Sequence, residues 1–354
     1  MGLKISRYHP NELLKWVRNL LFTMVENLFL AILRILPALN LGAENNIIIA
    51  QRAGRGLVTS IDDELFLRTL KMHSEFKFSL KRFNQPFWLV DSIGLILLSI
   101  FSKKLHLVLI QYVHQYHKFP SENLLRLLQL RGCKITKIWY DSYSKDLWQK
   151  RILKISEIGT TNFIVDTPEL IIKFRAPNNN YFYSPPPIQD YKFVPYNQRS
   201  NFLYYSGGIS SSGTYRQRRD VIDYLQYNGI NISGMQYDRI NFTARPTYDE
   251  YRKELASSLC GLSFTWKGDT DILPARTWEI LSSGVLLLQN KSDVFEENFV
   301  AGVHYLDFSS KEELLEIIQN LKKNKSQIQD ISMSGKEKFN ELFKSSNFWP
   351  RVFN

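Results

Sequence analysis

The sequence predicts an α/β protein built from two Rossmann-like units in succession. Three observations predict it. Short apolar runs without polar alternation recur along the chain, as parallel strands covered on both faces require. Capped helical patterns separate these runs. The alternation halts over a Pro- and Asn-rich stretch, residues 176–201, and then restarts. A length of 354 residues suits two domains. An apolar content of 44% is enough for two packed cores and excludes a disordered chain.

The first long apolar stretch is "NELLKWVRNLLFTMVENLFLAILRIL", residues 11–36. Lys15, Arg18, Asn19, Thr23, Glu26 and Asn27 recur at spacings that place them on one side of a helix, opposite Leu13, Val17, Leu20, Leu21, Met24, Val25 and Leu28. Arg18, Glu26 and Arg34 interrupt any run of the roughly 20 apolar residues that a bilayer span needs. Two readings stand: a helix packed on the domain, or a helix in a membrane interface with Trp16, Phe22, Arg18 and Arg34 at its edge. "FWLVDSIGLILLSIF" (Phe87–Phe101) is short for a span and contains Asp91, so it reads as buried core.

Strands follow in order. "NNIIIA" (Asn45–Ala50) is the first and "KLHLVLIQYV" (Lys104–Val113) the second, before a helix around Glu122–Leu130. "KITKIWYDS" (Lys134–Ser142) is the third, then a helix "SKDLWQKRILKISEI". "TNFIVD" (Thr161–Asp166) is the fourth, followed by a helix start at Thr167 and Pro168. The stretch 176–201, with three consecutive prolines, reads as the connection between domains. Beyond it, "FLYYSGG" (Phe202–Gly208) is a strand entering a Gly/Ser loop, and the helix "YRQRRDVIDYLQYNG" stops at Asn228-Gly229. "INISGMQY" is the next strand, and Thr247 with Glu250 forms a capping box before the following helix. "GLSFTW" (Gly261–Trp266), "VLLLQ" and "VHYLDF" (Val303–Phe308) complete the second set. Pro274 opens the helix between the first two, and Gly284 ends it. Ser309 with Glu312 and Ser310 with Glu313 are overlapping capping boxes for the helix after "VHYLDF". The expected division is a helical segment over 1–40, a first unit over 41–190, a second over 191–340, and a tail or helix over 341–354 returning to the first unit.

The net charge of +11 makes anions natural partners, but the basic residues are spread along the chain with no consecutive block, which disfavours nucleic acid. Two cysteines, Cys133 and Cys260, exclude a disulfide scaffold and a cysteine-based zinc site, and fit a reducing compartment. Sequons at Asn231, Asn241, Asn290 and Asn324 carry little weight, since the N-terminus lacks a signal-peptide cleavage pattern.

In open parallel sheets, ligands bind beyond the carboxyl ends of the strands. Three segments of the second unit meet that description. In "SGGISSSGTYRQRR" (Ser206–Arg219), Gly207 and Gly208 let backbone N–H groups approach an anion at a helix start. Arg216, Arg218 and Arg219 oppose the helix dipole there, and diphosphate recognition would repay that placement because guanidinium binds phosphate bidentately. A solvated basic helix face is the competing account. In "TWKGDTD" (Thr265–Asp271), Lys267 can reach a phosphate, and Asp269 or Asp271 can accept sugar hydroxyls. On the next helix Glu279, eight residues after Asp271, can accept two ribose hydroxyls. Its apolar neighbours Trp278 and Ile280 imply burial, and a buried carboxylate needs partners. Arg276, one turn earlier, is the expected one. The glycine loop matches neither the dinucleotide nor the Walker fingerprint.

"ARTWEILSSGVLLLQN" followed by "GVHYLDFSSKEELLEII" resembles the end of group 1 glycosyltransferases of the GT-B fold, and among them the subgroup with spore-maturation-type proteins: an R-x-x-E helix, a small residue and Gly, an aliphatic strand, G-x-H and a serine-capped helix. "YYSGGI" and "YRQRRDVIDYL" resemble that family's first strand, loop and helix, so the resemblance spans roughly residues 200–345. It implies two Rossmann-like domains facing across a cleft, with a nucleotide-diphosphate sugar in the C-terminal one and an acceptor in the N-terminal one. Glu279 would hold ribose. The family's preceding acidic position is Asp271 here, one methylene shorter than the usual Glu. The implied chemistry needs neither metal nor cofactor beyond the donor as co-substrate, and the acceptor would be a glycan or a lipid-linked hydroxyl, as in polysaccharide biosynthesis. His304 lies near the sugar in this reading. Asp141, at a strand end beside polar residues, is the expected catalytic base; Asp166, His114, His117 and "AQRAGRG" (Ala50–Gly56) occupy similar addresses. The expected location is cytoplasmic, peripheral on an inner membrane face if residues 11–36 bind lipid. The competing readings are a non-catalytic sugar-nucleotide or glycan-binding scaffold of the same fold and a basic nucleic-acid binder.

Overall fold

The computed structural model describes residue 24 and residues 45–52, 78–83, 94–97, 99, 104–112, 122–140, 162–165, 180–188, 193–209, 214–234, 236–238, 246–267 and 271–353. The expectations on residues 11–36, on the helix after the strand Lys134–Tyr140 and on Thr167–Pro168 fall outside them, apart from Met24, which is helical and exposed.

The first sheet has six parallel strands: β1 (Asn45–Arg52), β2 (Phe78–Phe83), β3 (Lys104–Tyr112), β4 (Lys134–Tyr140), β5 (Asn162–Val165) and β6 (Asn180–Tyr183). Their order is β2-β1-β3-β4-β5-β6. Consecutive residues Leu107 and Val108 of β3 are both fully buried, so this central strand is covered on both faces. Helix α1 (Glu122–Leu130) buries Leu124, Leu125, Leu127 and Leu128. Residues 94–97 are helical, and Leu95 and Ile96 are buried within the stretch read as core, whereas Leu97 is exposed.

The second sheet repeats the winding. It comprises β7 (Asn201–Tyr204), β9 (Ile232–Ser233), β11 (Ser258–Ser263), β14 (Leu286–Asn290) and β15 (Leu306–Phe308), in the order β15-β14-β11-β7-β9, all parallel. A short parallel pair, β8 (Gly207–Ile209) and β10 (Gln236–Asp238), stands beyond β7 and β9. An antiparallel hairpin joins β12 (Trp266–Lys267) to β13 (Asp271–Ile272). The helices are α2 (Thr214–Tyr227), α3 (Tyr248–Ala256), α4 (Ala275–Ser282), α5 (Asp293–Glu296), α6 (Lys311–Lys323), α7 (Lys325–Phe343) and α8 (Ser345–Phe353). Neighbouring residues on one strand feed opposite cores: Leu203 and Leu288 pack with Ile222, Leu314 and Ile318, whereas Tyr204 and Leu287 pack with Trp278, Phe295 and Phe339. The sheet is therefore sandwiched between α2 and α6 on one face and α3, α4 and α7 on the other.

The capping expectations hold at Thr247 and at Ser310, and the one at Ser309 is corrected. Thr247 and Glu250 form the reciprocal box at α3. Ser310 caps α6 through the Glu313 N–H, and the Glu313 carboxylate accepts the Ser309 N–H, so Ser309 does not pair with Glu312. Gly229 and Gly284, both at positive φ, end α2 and α4.

Several expectations are corrected. The stretch 176–201 is more than a connection. Its "NYFY" is β6, the edge strand paired to β5, because aromatic residues favour strands and an edge requires pairing on one side only. Pro185, Pro187 and Ile188 after it are buried, and Ile188 joins a core of the second unit. "INISGMQY" is split by Gly234, whose φ of 96° breaks the strand between β9 and β10. A Cβ at Gly234 would lie 2.5 Å from the Tyr205 carbonyl oxygen, so the break also lets two backbones approach. "FLYYSGG" and "GLSFTW" each divide into two strands in different sheets. The strand β2 went unread because Lys81 and Arg82 interrupt its apolar pattern.

The last helix lies against the first sheet. Thr136 Oγ1 on β4 donates to the Val352 carbonyl at 3.3 Å, Lys134 Nζ donates to the Phe353 carbonyl at 3.1 Å, and the His106 ring meets Phe353 edge-on at 5.7 Å. Trp349 and Val352 are fully buried. His106 Nε2 also pairs with Thr136 Oγ1 at 2.9 Å. Burial, and secondarily the Lys134 charge, lower the His106 pKa to about 3.

Two stability predictions follow from these contacts. His106 stays neutral when folded but protonates in the unfolded chain below its ordinary value of 6.5, so the unfolded state binds more protons and stability falls as pH drops from 6.5 toward 3. Unfolding at pH 7.5 and pH 4.5 should show His106→Asn losing less stability on acidification than wild type, by on the order of 2 kcal/mol; equal losses would contradict this. On α7, a Cβ at Gly335 would collide with the His304 carbonyl oxygen. Gly335→Ala should lower unfolding free energy by about 1–3 kcal/mol in a denaturant titration.

Candidate functional site

In each sheet the first strand lies between the second and the third, which creates a switch point where successive connections leave in opposite directions. In the second unit this point lies between β7 and β11. Beyond their carboxyl ends run Tyr205–Ser206, the strand β8, and Phe264–Thr265. The helices α2, α3 and α4 all begin at this edge, since each precedes a strand that starts at the opposite one.

Tyr205 is the floor of the site. It is fully buried, its hydroxyl donates to the Gly208 carbonyl at 3.3 Å, and its backbone N–H bonds to Ser233. The guanidinium of Arg276, in the first turn of α4, sits over the Tyr205 ring at 4.7 Å. It presses so closely on Gly207 that a Cβ there would overlap it. Glycine at 207 is thus the condition for bringing a guanidinium against this backbone. Arg218, on the first turns of α2, is 9% exposed and stacks on Tyr215 at 4.9 Å. Burial holds its guanidinium below the usual range; Tyr205 pushes it back up, and the nearby Arg276 charge pushes it down again. Arg218 is buried, Arg276 is half-buried, and their like charges lie close enough to oppose one another.

Glu279 lies one turn deeper on α4 and is 4% exposed. Tyr251 on α3 donates its hydroxyl to Glu279 Oε2 at 2.6 Å, the length of a charge-assisted bond. Burial first, then the Glu279 charge, raise the Tyr251 pKa well above its ordinary value, while Arg276 acts the other way. The Glu279 backbone is held as firmly: its carbonyl accepts from Arg252 Nη1 at 3.3 Å, Ser282 Oγ at 3.0 Å and Ser283 Oγ at 2.7 Å. On the far side of α4, Thr277 Oγ1 bonds Ser263 on β11 at 2.9 Å and Gln289 on β14 at 3.1 Å, and Gln289 in turn donates to Thr265 at 2.8 Å. This buried network ties the helix to the ends of both strands.

The structure therefore brings Gly207, Gly208, Arg218, Arg276 and Glu279 to one edge of the second sheet. Arg276 lies against Gly207, three residues before Glu279, and both charges act on Tyr204 and Tyr251. Arg216 is exposed on the outer side of α2, and Arg219 turns to Asp223 at 3.4 Å. Lys267 and Asp271 are backbone partners across the hairpin at the same edge. His304 precedes β15, away from the carboxyl ends where the site's loops arise, and its Nδ1 accepts the Val300 N–H at 2.9 Å. That position separates it from the donor site the sequence reading gave it. Asp141 lies outside the described residues, immediately after β4. Tyr205, Tyr251 and Arg252 were missed. Their side chains reach partners up to 71 residues away, and no local spacing signals such a contact. Among the described residues, no group of three or more His, Cys, Asp or Glu is placed to hold a metal, and no helix is long and apolar enough to cross a membrane.

Residues 216–348 match a family model described as "glycosyl transferase-like". No curated protein sequence matches the chain. Solved structures share its fold. An alpha-glucosyltransferase in complex with UDP-glucose and DNA containing an abasic site is 13% identical with a TM-score of 0.57, covering 87% of this chain and 98% of its own. T4 phage BGT in complex with its UDP-glucose substrate is 12% identical with a TM-score of 0.52, over 87% and 98%. TarM is 9% identical with a TM-score of 0.50; the alignment covers 71% of this chain but only 55% of TarM. Residues 216–348 are thus glycosyl transferase-like in sequence, and the chain carries the GT-B fold of the solved structures similar to it.

Proposed function

We propose that the protein is a glycosyltransferase that moves a sugar from a nucleotide-diphosphate donor to the hydroxyl of a glycan or lipid-linked acceptor. The observation that carries this reading is the convergence of Arg276 and Gly207 on the buried ring of Tyr205, with Arg218 beside them and Glu279 one turn below. The Glu279 carboxylate accepts the ribose hydroxyls. Arg276, Arg218 and the amides of Gly207 and Gly208 take the diphosphate. The sugar extends toward the β12–β13 hairpin with Lys267 and Asp271. The proteins of like fold that have been solved with UDP-glucose, or with UDP and glucose, support a UDP-sugar as donor. TarM was solved with fondaparinux, alpha-GlcNAc-glycerol and UDP, which supports a glycan acceptor.

In the reaction the acceptor oxygen forms a bond to the anomeric carbon as the bond from that carbon to the diphosphate oxygen breaks. Negative charge develops on the departing diphosphate. The fixed guanidiniums meet it without reorganisation, and their burial strengthens the effect. The acceptor proton passes to a base on the first unit, and Asp141, following β4, is the residue we assign to it.

Calorimetric titration with UDP, GDP, ADP, CMP and TDP tests the donor site and identifies the base. One diphosphate should bind, and Arg276→Ala should weaken it roughly thirtyfold, about 2 kcal/mol for a lost charge-assisted contact. Absence of binding by all five, or unchanged affinity in Arg276→Ala, would sink the proposal. With the donor found, Asp141→Asn should retain its affinity and lose turnover by about 100-fold or more, measured as release of the diphosphate in the presence of acceptor.

A further inference from the structure

Resting on the ribose reading of Glu279, we infer that Tyr251 is a positioning residue that sets the selectivity of the site for ribonucleotides. Its hydroxyl grips Glu279 Oε2 at 2.6 Å from a separate helix, 28 residues away in sequence. A glutamate side chain has three rotatable bonds, the last of them broad. An acceptor that swings so freely discriminates poorly between a hydroxyl and a hydrogen. With Oε2 engaged, the plane of the carboxylate is fixed, and so are the directions of its remaining lone pairs.

The grip is itself rigid. Tyr251 is 6% exposed, and its ring packs against Tyr204 at 6.0 Å and Tyr248 at 6.2 Å. The next residue, Arg252, binds the Glu279 carbonyl at 3.3 Å and Ser282 Oγ at 3.3 Å. Helix α3 therefore holds both the main chain and the side chain of one residue on α4. Tyr251 is too buried to serve as an ordinary surface partner, and nothing in the transfer chemistry calls on it. A site whose polar groups are fixed and desolvated rejects an analogue lacking the matching hydroxyl more strongly than a flexible one, because its acceptor is then left unpaired.

The test is the ratio of dissociation constants for 2′-deoxy and ribo forms of UDP, GDP and ADP, measured by calorimetry on the full chain. Wild type should prefer the ribo form by about tenfold or more for the diphosphate it binds. Glu279→Gln should reduce that preference to about twofold. Tyr251→Phe keeps the ring packing and removes only the hydroxyl; it should reduce the preference to about threefold or less. A purely structural role would weaken both forms equally and leave the ratio unchanged. Retention of the wild-type ratio in Tyr251→Phe, alongside its loss in Glu279→Gln, would overturn this inference and leave the ribose reading standing. A wild-type ratio near one for all three bases would overturn the ribose reading and this inference with it. Failure of Tyr251→Phe to fold, seen by circular dichroism, would overturn the inference alone, because the hydroxyl would then be structural.

Discussion

A carboxylate sealed in a protein core has to be met by donors, and the second unit is arranged around meeting one. Glu279 sits on a helix whose other faces are Trp278, Ile280 and Leu281, so the helix is inserted between sheet and α7 with almost no exposed surface. An ionised group there would be costly without partners. Tyr251 supplies one to the carboxylate from α3, and Arg252 on the same helix holds the backbone carbonyl. That double hold explains why α3 lies against α4. The rest of the packing follows from the same insertion. Trp278 meets Phe295, Phe299, Phe339 and Phe343 with ring centroids between 5.3 and 6.3 Å. Gly261 on β11 leaves room for Ile280, whose Cγ1 would lie 2.8 Å from a Cβ at that position.

The position of the site follows from winding rather than from any one residue. Parallel strands present their carboxyl ends together, and the switch between β7 and β11 opens the sheet there. Helices arriving at that edge bring their amino-terminal turns, so backbone N–H groups and first-turn arginines collect on the same side. Arg276 and Arg218 are both destabilising by the helix-dipole rule, and mutual repulsion adds to the cost. Ring contacts with Tyr205 and Tyr215 offset part of it.

The opposite edge of the second sheet is closed by a different cation. Arg199 donates to the carbonyls of Val194, Ser258 and Gly284 and stacks on Tyr196 at 4.1 Å. It joins the segment entering β7 to the starts of β11 and β14, and Tyr196 continues the chain of contacts to Gly284 and to Ser332 on α7. A buried arginine at the amino edge thus secures the frame, while Arg276 and Arg218 stand at the carboxyl edge against the rings of Tyr205 and Tyr215. The chain then leaves this unit through α7, and α8 delivers Trp349 and Val352 to the strands that carry His106 and Thr136.

Much of this was legible in the residue order. Strand runs such as "NNIIIA" and "VLLLQ", the capping box at Thr247, and the stops at Gly229 and Gly284 are local, because period, cap and turn depend on neighbours within about four residues. The carboxyl-edge addresses of Gly207, Arg218, Arg276 and Glu279 were legible for the same reason: each follows or precedes a recognisable strand. Only tertiary structure decided which of the arginines points inward. Arg216, Arg218 and Arg219 differ by at most one helical turn, and one faces solvent, one is buried, and one pairs with Asp223. It also decided that Arg276 abuts Gly207 and that Tyr251 holds Glu279, since contacts across 69 and 28 residues depend on how helices seat against a sheet. Sequence periodicity determines which face of an element is apolar; the partner that covers that face is chosen by packing, and packing leaves no local mark on the chain.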